Sequence, residues 1–296
     1  MRYRVLHETR YDYSAPVSLG HHVAHLAPVD SASQTWLGTR LEIEPEPAVY
    51  REGLDFFGNR VAYFSIEAAH RALTVRALSE VDVRPPGVAG SAGRPSFAWE
   101  DVRDRTSEGV DGESLLARQF ALESPLVPVD ERVHRYAAAS FGPGCPVMDA
   151  VWDLMGRIHR DFAYDPGFSS VSTPLTDVLA HRRGVCQDFA HLGIACLRAQ
   201  GLAACYVSGY IETDPPPGQE RLVGADASHA WFSVFVPGLG WLDFDPTNNQ
   251  IPLDRHITVA RGRDFADVTP LKGVLYGGGE HTLSVAVTVE RVRSEE

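Results

Sequence analysis

The chain has 296 residues, 44% of them hydrophobic and 22% charged, enough to bury a large core in an ordinary globular protein of about two domains. A formal net charge of −12 excludes nucleic acid as the principal partner, which needs a basic surface, and disfavours an anionic membrane. Four cysteines (Cys145, Cys186, Cys196, Cys205) are too few for a disulfide scaffold, and none stands in a Cys-x-x-Cys pair of the zinc-ribbon or redox kind.

The first residues, Met1 to Leu6, alternate like a strand and lack the apolar run of a secretion signal. No later stretch is long and apolar enough to cross a bilayer, so the expectation is a cytoplasmic protein. Up to about Arg84 the pattern is β: alternation at Tyr3–Thr9 and Leu41–Glu44, a hairpin around Phe57-Gly58-Asn59-Arg60, and a strand at Leu73–Leu78. Pro85-Pro86-Gly87 opens a Gly/Pro/Ser-rich linker to about Pro95. Helical spacing follows at 114–122, 130–139 and, most clearly, 148–162, where Val151, Leu154, Met155, Ile158 and Phe162 share a face. A short helix from Thr176 to His181, capped by Thr176, precedes an apolar helix that starts at Cys186 and stops at Gly201.

Strands return at 203–211, 229–236 and 241–244, with a loop at Asp214-Pro215-Pro216-Pro217-Gly218 between the first two. The segment 282–292 alternates strongly enough to be a last strand, able to close either half of the molecule. Helices first and antiparallel strands after give α+β rather than repeating βαβ. An N-terminal β-rich domain spans 1–95, and a second domain 96–296 with its core at 148–250. Neither a dinucleotide fingerprint nor a phosphate loop is present; Gly277-Gly278-Gly279 precedes a strand and reads as a turn.

The chemistry begins at Gly184-Val185-Cys186-Gln187-Asp188-Phe189-Ala190. Cys186, Phe189, Ala190, Gly193, Ile194 and Leu197 form one stripe, so the thiol sits in the first helical turn, where unpaired backbone N–H groups and the helix dipole favour thiolate. Gly184 is read as the residue that lets the chain turn into this helix. A cysteine nucleophile needs a base, and the base needs an orienting group. His229 heads one strand, Asp245 ends the next, and Val236-Pro237-Gly238-Leu239-Gly240 joins them, so a hairpin brings imidazole and carboxylate to one open end. Asp243 competes for the acid but lies one pleat further in. His181 precedes the cysteine in the same segment and His191 points away from the Cys186 stripe, so both are weaker bases.

Four segments in order, 184–191, Tyr206-Val207-Ser208-Gly209-Tyr210, His229-Ala230-Trp231 and Trp241 to Thr247, resemble the transglutaminase-like superfamily, in its bacterial branch with an all-β domain before the core. The resemblance implies a papain-like core, a Cys-bearing helix packed on an antiparallel sheet, with the triad Cys186, His229 and Asp245. It also implies a thioester acyl-enzyme made from a peptide or protein carboxamide and released to an amine acceptor or to water. The Cys186 N–H would be one oxyanion donor; Gln187, Tyr164 and Trp241 are candidates for the second. Asn248 and Asp188 are possible supports of the triad, with Asp188 favoured as an ordinary first-turn acid. No cofactor and no metal are expected, since no calcium-ligand loop appears. Oligomeric state is not legible.

Overall fold

The structure is a computed structural model that describes residues 1–85, 97–109, 111–213 and 228–292. The expected linker beyond Pro85 and the Asp214–Gly218 loop fall outside those residues.

The N-terminal half is a sheet of β1 (Arg2–Ala24), β2 (Gln34–Glu44), β3 (Val49–Leu54), β4 (Arg60–Ile66) and β5 (His70–Val83). β1 is much longer than its legible first third. It pairs with β5 from Arg2 to Asp12, breaks register between Asp12 and Val17, and then pairs with β4 from Gly20 to Ala24. The irregularity contains Pro16, which has no N–H for the ladder, so a single alternating pattern could not be followed through it.

The second half opens with α1 (Trp99–Glu108), which the periodicity did not show. Its buried face is only Trp99, Val102 and Thr106, too sparse a stripe to stand out among charged residues. There follow α2 (Gly112–Ala117), α3 (Glu131–Ala138), α4 (Val147–Asp161), the two-residue β6 (Ala163–Tyr164), α5 (Leu175–His181), β7 (Arg183–Gly184) and α6 (Cys186–Ala199). Pro174, not Thr176, occupies the N-cap of α5. Pro fits there because its ring pre-sets φ, and no side chain caps the helix. The sheet β8 (Ala204–Ile211), β9 (Ser228–Val236), β10 (Gly240–Phe244), β11 (His256–Gly262) is antiparallel in the order β10-β9-β8-β11.

α6 packs on β8 and β9 on one side and on α3, α4 and α5 on the other. Every residue from Asp188 to Arg198 is therefore buried, where the sequence suggested a one-faced helix. Gly193 makes the sheet-side contact possible: a Cβ there would lie 2.5 Å from the Phe232 ring. Even the charged Arg198 is enclosed. Its guanidinium donates to the carbonyls of Phe120, Ala204 and Arg263 and to Ser124 Oγ, at 2.7–3.0 Å.

The last strands, β12 (Leu271–Gly277) and β13 (His281–Arg291), return to the first sheet and pair with the two halves of β1. Gly277, Gly278 and Gly279 all have positive φ in the turn between them, a conformation that costs an L-residue but not glycine. The two halves share one core: Tyr3, Val5, Val81, Val83, Val287 and Val289 belong to the same buried cluster as α4, α6 and the second sheet.

Side-chain amides from the first half cover the outer edge of β11. Gln34 donates to the Thr258 carbonyl (2.7 Å) and accepts from its N–H (2.8 Å). Asn59 does the same for Arg261 at 2.8 and 2.7 Å. An edge strand left bare would expose unpaired backbone, and these amides stand in for a neighbouring strand.

Candidate active site

The site is assembled where the N-terminus of α6 meets the open end of the β9–β10 hairpin. Cys186 is the first helical residue. The turn that presents it is locked by Asp188, whose Oδ2 accepts from the Val185 N–H at 2.8 Å and from Ser169 Oγ at 2.5 Å. Asp188 is thus the expected first-turn acid, and it is in addition a buried capping group whose carboxyl burial pushes above the usual range. Gly184 is needed for a reason the sequence did not reveal. Its φ is ordinary, but a Cβ would stand 2.7 Å from Asp188 Oδ2 and expel the cap. The sharp turn itself lies at Arg182, which has φ +55.

β9 and β10 pair from Gly240↔Val236 to Phe244↔Phe232. One step beyond the ladder, Asp245 ends β10 and closes a tight turn by bridging to Gln250, with Asn249 in the left-handed region. His159 of α4 sits against this turn, 3.0 Å from the Thr247 carbonyl. Asp245 is fully buried, and His229 lies beside it with Nε2 2.8 Å from Oδ2. The imidazole is also close enough to the Cys186 side chain for it to favour the charged ring. With Nε2 committed to Asp245, Nδ1 is the nitrogen left to face the thiol.

The electrostatics follow from this enclosure. Burial opposes a charge on His229, but the hydrogen bonds and charges of Asp245 and Cys186 outweigh it and push the imidazole up to about 10. Burial likewise opposes ionisation of Asp245, yet its bonds to His229, His256 and Asn248 hold the carboxyl far below the usual range. The backbone N–H groups of Thr247 and Asn248 donate to its other oxygen at 3.0 and 3.2 Å. His229 and Asp245 are thus set up as an imidazolium–carboxylate pair beside Cys186.

Asn248 Nδ2 donates to Asp245 Oδ2 at 2.8 Å and stands 3.4 Å from His229 Nε2. Gln187 follows Cys186 in the first turn, half-buried. Tyr164 is 57% exposed, and the parallel β6–β7 pairing sets it opposite Gly184; partial burial first, and nearness to Cys186 second, raise its phenol. Trp241 is not at the site. It lies near the hairpin turn opposite Phe235, packed on Phe120 and Phe235 at 5.0 and 5.5 Å. At ~3.3 Å per residue that is on the order of 20 Å along the strand from His229.

Among the weaker alternatives, Asp243 is occupied by Arg261 at 3.1 Å. His181 bonds its own helix backbone at Asp177. His191 is buried against Tyr206, and its Nε2 accepts from the Phe265 N–H at 3.1 Å. That bond requires a neutral ring, and burial lowers it to about 4.

His256 escaped the sequence reading altogether. It opens β11, and its Nε2 lies 3.0 Å from the same Asp245 oxygen that holds His229. β10 and β11 are opposite edges of the sheet, and the side-chain pairs Asp245–His256 and Asp243–Arg261 reach between them across one face. Gly209 leaves room for this: a Cβ there would strike the Trp231 ring at 2.6 Å and the Ile257 carbonyl at 2.1 Å. The only sequence signal was a histidine at a strand start, which pairs with nothing until strand order is known. The nitrogen and oxygen atoms of His229, Asp245 and His256 lie within 4.8 Å of one another, the one such His/Cys/Asp/Glu cluster among the described residues. At 2.8 and 3.0 Å the contacts are hydrogen-bond lengths, with both rings donating to one carboxylate.

Comparison with known proteins agrees with this architecture. Residues 3–82 match the model for the bacterial transglutaminase-like N-terminal region, and residues 137–246 match that for the transglutaminase-like superfamily core. The chain belongs to the transglutaminase-like superfamily. An uncharacterized protein of Mycobacterium tuberculosis (strain H37Rv) is 44% identical over 99% of this chain and 93% of its own length. One from Mycobacterium leprae is 32% identical over 98% of this chain and 99% of its own length. A protein-glutamine gamma-glutamyltransferase of Pseudomonas aeruginosa is 35% identical over 32% of this chain, which is 14% of that enzyme. Among solved structures, one described as a putative cysteine protease from Cytophaga hutchinsonii covers 100% of this chain and 92% of its own, with a TM-score of 0.76 at 21% identity. That likeness speaks to the fold alone. As a transglutaminase-like protein, the chain has the α+β fold expected of it: a Cys-bearing helix on an antiparallel sheet, joined to a β-rich N-terminal domain. Among the described residues no helix is long and apolar enough to cross a membrane.

Proposed function

We propose that the protein is a cysteine-dependent acyltransferase acting on a carboxamide of a peptide or protein, with Cys186 as nucleophile, His229 as general acid and base, and Asp245 holding His229. The observation that carries this reading is that one imidazole, His229, is hydrogen-bonded to a fully buried Asp245 at 2.8 Å and lies close enough to Cys186 for both to favour its charged form. In the forward step the Cys186 thiolate attacks the amide carbon, and the Cys186 N–H at the helix start donates to the oxyanion. The C–N bond then breaks as His229 gives its proton to the departing amine, leaving a thioester. His229 next takes a proton from an incoming amine as that amine displaces the thiol. Gln187, beside Cys186 in the first turn, and Tyr164, opposite Gly184, are the candidates for a second oxyanion donor.

The distant Pseudomonas relative, named a protein-glutamine gamma-glutamyltransferase, supports a glutamine side chain as the acyl donor. The test is to incubate the protein and its Cys186→Ala variant with a glutaminyl peptide, with and without a primary amine, and weigh the products. An amine adduct made only by the unaltered protein supports transamidation. Deamidation or cleavage without adduct assigns the same site to hydrolysis. No product, together with no labelling of Cys186 by an electrophile, overturns the enzymatic reading.

A further inference from the structure

Asp245 is held by more than its own turn. Its Oδ2 accepts from His229 Nε2, Asn248 Nδ2 and His256 Nε2 at 2.8, 2.8 and 3.0 Å. His229 and Asn248 lie on or just after the β9–β10 hairpin, and His256 alone comes from β11. A carboxylate only accepts, so the Nε2 of His256 that faces it carries a hydrogen whatever the state of Nδ1. His256 is buried and its ring packs edge-on against Trp231 at 5.2 Å, so the ring follows its strand.

β11 is an edge strand. β8 pairs its inner side, and that ladder shifts register between Thr258 and Ala260. The outer side at Thr258, two residues from His256, is held from the first half of the chain. Gln34 is 4% exposed, and its Oε1 accepts from the Thr258 N–H at 2.8 Å. Its Nε2 donates to the carbonyls of Thr258 and Val29 at 2.7 and 2.6 Å, so both amide hydrogens are engaged. Gln34 is itself fixed at the start of β2, where its backbone closes a turn with Ser31 and pairs with Val83.

We infer that Gln34 is a positioning residue: it holds β11 so that His256 meets Asp245, and through that carboxylate it sets the orientation of His229. The first half of the chain then completes the catalytic site. Gln34 has this role only if Cys186, His229 and Asp245 are the reactive triad proposed above. Asn59 grips the same edge with the same kind of amide contact, but at Arg261, which at ~3.3 Å per residue lies about 17 Å along the strand from His256. It supplies the control.

The test follows Cys186 alkylation by iodoacetamide at pH 6.5, and the titration of the His229 ring by NMR, in full-length variants. Gln34→Met keeps the length of the side chain and removes its polar atoms. It should slow alkylation about three- to fivefold and lower the His229 midpoint by about half a pH unit. Gln34→Asn, one methylene too short to reach Thr258, should do the same and takes its place if the methionine variant does not fold. Asn59→Leu should leave both readings unchanged. In a His256→Gln background Gln34→Met should slow alkylation no further, because its route to Asp245 is already cut. Unchanged readings in the Gln34 variants, an equal fall in Asn59→Leu, or a full further fall in the His256→Gln background would each overturn the positioning role. Asp245→Asn is the reference. If it slows alkylation and the Gln34 variants do not, the role of Gln34 fails alone; if it does not, the catalytic reading fails and the role of Gln34 with it.

Discussion

Replacing Asp245 by asparagine keeps the shape of the site and removes its buried charge. The rise of His229 from 6.5 to about 10 amounts to about 5 kcal/mol of preference for the imidazolium, net of the burial that opposes it. Cys186 and Asp245 share that preference, and breaking a buried pair by removing one partner typically costs about 3–5 kcal/mol. Taking about 3 kcal/mol as the Asp245 share, the thiolate–imidazolium pair loses a factor of roughly 100.

The expected outcome is a fall of about 100-fold in the iodoacetamide alkylation rate of Cys186 at pH 6.5, followed by mass spectrometry. Cys196 and Cys205 are deeply buried, with thiols pushed up to about 12, and Cys145 is raised by burial, so Cys186 dominates the label. The sign can be checked separately on the ring. Because folding raises the proton affinity of His229, this pair stabilises the fold fully below about pH 6.5, and the contribution disappears as pH rises through about 10. In Asp245→Asn the ring should titrate about two units lower, near 8, by NMR. An unchanged alkylation rate, with the His229 ring still fully protonated at pH 9, would refute the coupling.

His256→Gln, which removes one donor from Asp245, should lower the alkylation rate about five- to tenfold without unfolding the protein, the worth of about 1–1.5 kcal/mol for one hydrogen bond. An effect as large as that of Asp245→Asn would mean His256 acts directly on the cysteine. Arg198→Met leaves the buried carbonyls of Phe120, Ala204 and Arg263 without their donor and should cost about 3–5 kcal/mol in urea unfolding. Gly193→Ala forces a methyl into the Phe232 ring and should cost about 1–3 kcal/mol, read as a melting temperature several degrees lower. His7 and His191 are both lowered by burial to about 4, so the unfolded chain binds more protons than the folded one between about pH 4 and 6.5. Stability should therefore fall with acid by about 2 kcal/mol per histidine between pH 7 and 5, and His7→Gln should flatten the slope of melting temperature against pH.

Local sequence carried much of the site. A cysteine at a helix start, a histidine at a strand start and an acid at the end of the next strand are short-range patterns. Helix periodicity and the Pro237-Gly238 turn sufficed to bring them into one region. The same local rules placed α4 and α6 to within a residue, because their apolar spacing is dense. They failed where the deciding contact is long-range. Trp241 reads as a site residue by its nearness in sequence to Asp245, but the extended strand carries it away at ~3.3 Å per residue. Gly184 reads as a turn residue, but its missing Cβ makes room for Asp188. The long β1 is hidden because its alternation breaks at a bulge containing Pro16.

The sequence by itself determined the class of fold and singled out Cys186, His229 and Asp245 as the candidate triad, since each is marked by a short local pattern at the end of a helix or strand. Only the tertiary structure decided the strand order that lets His256 of β11 reach Asp245 at the end of β10, and that β12 and β13 return to β1. Strand order arises from packing between segments far apart in the chain. The balance of burial and pairing that charges His229 exists only once those segments are together.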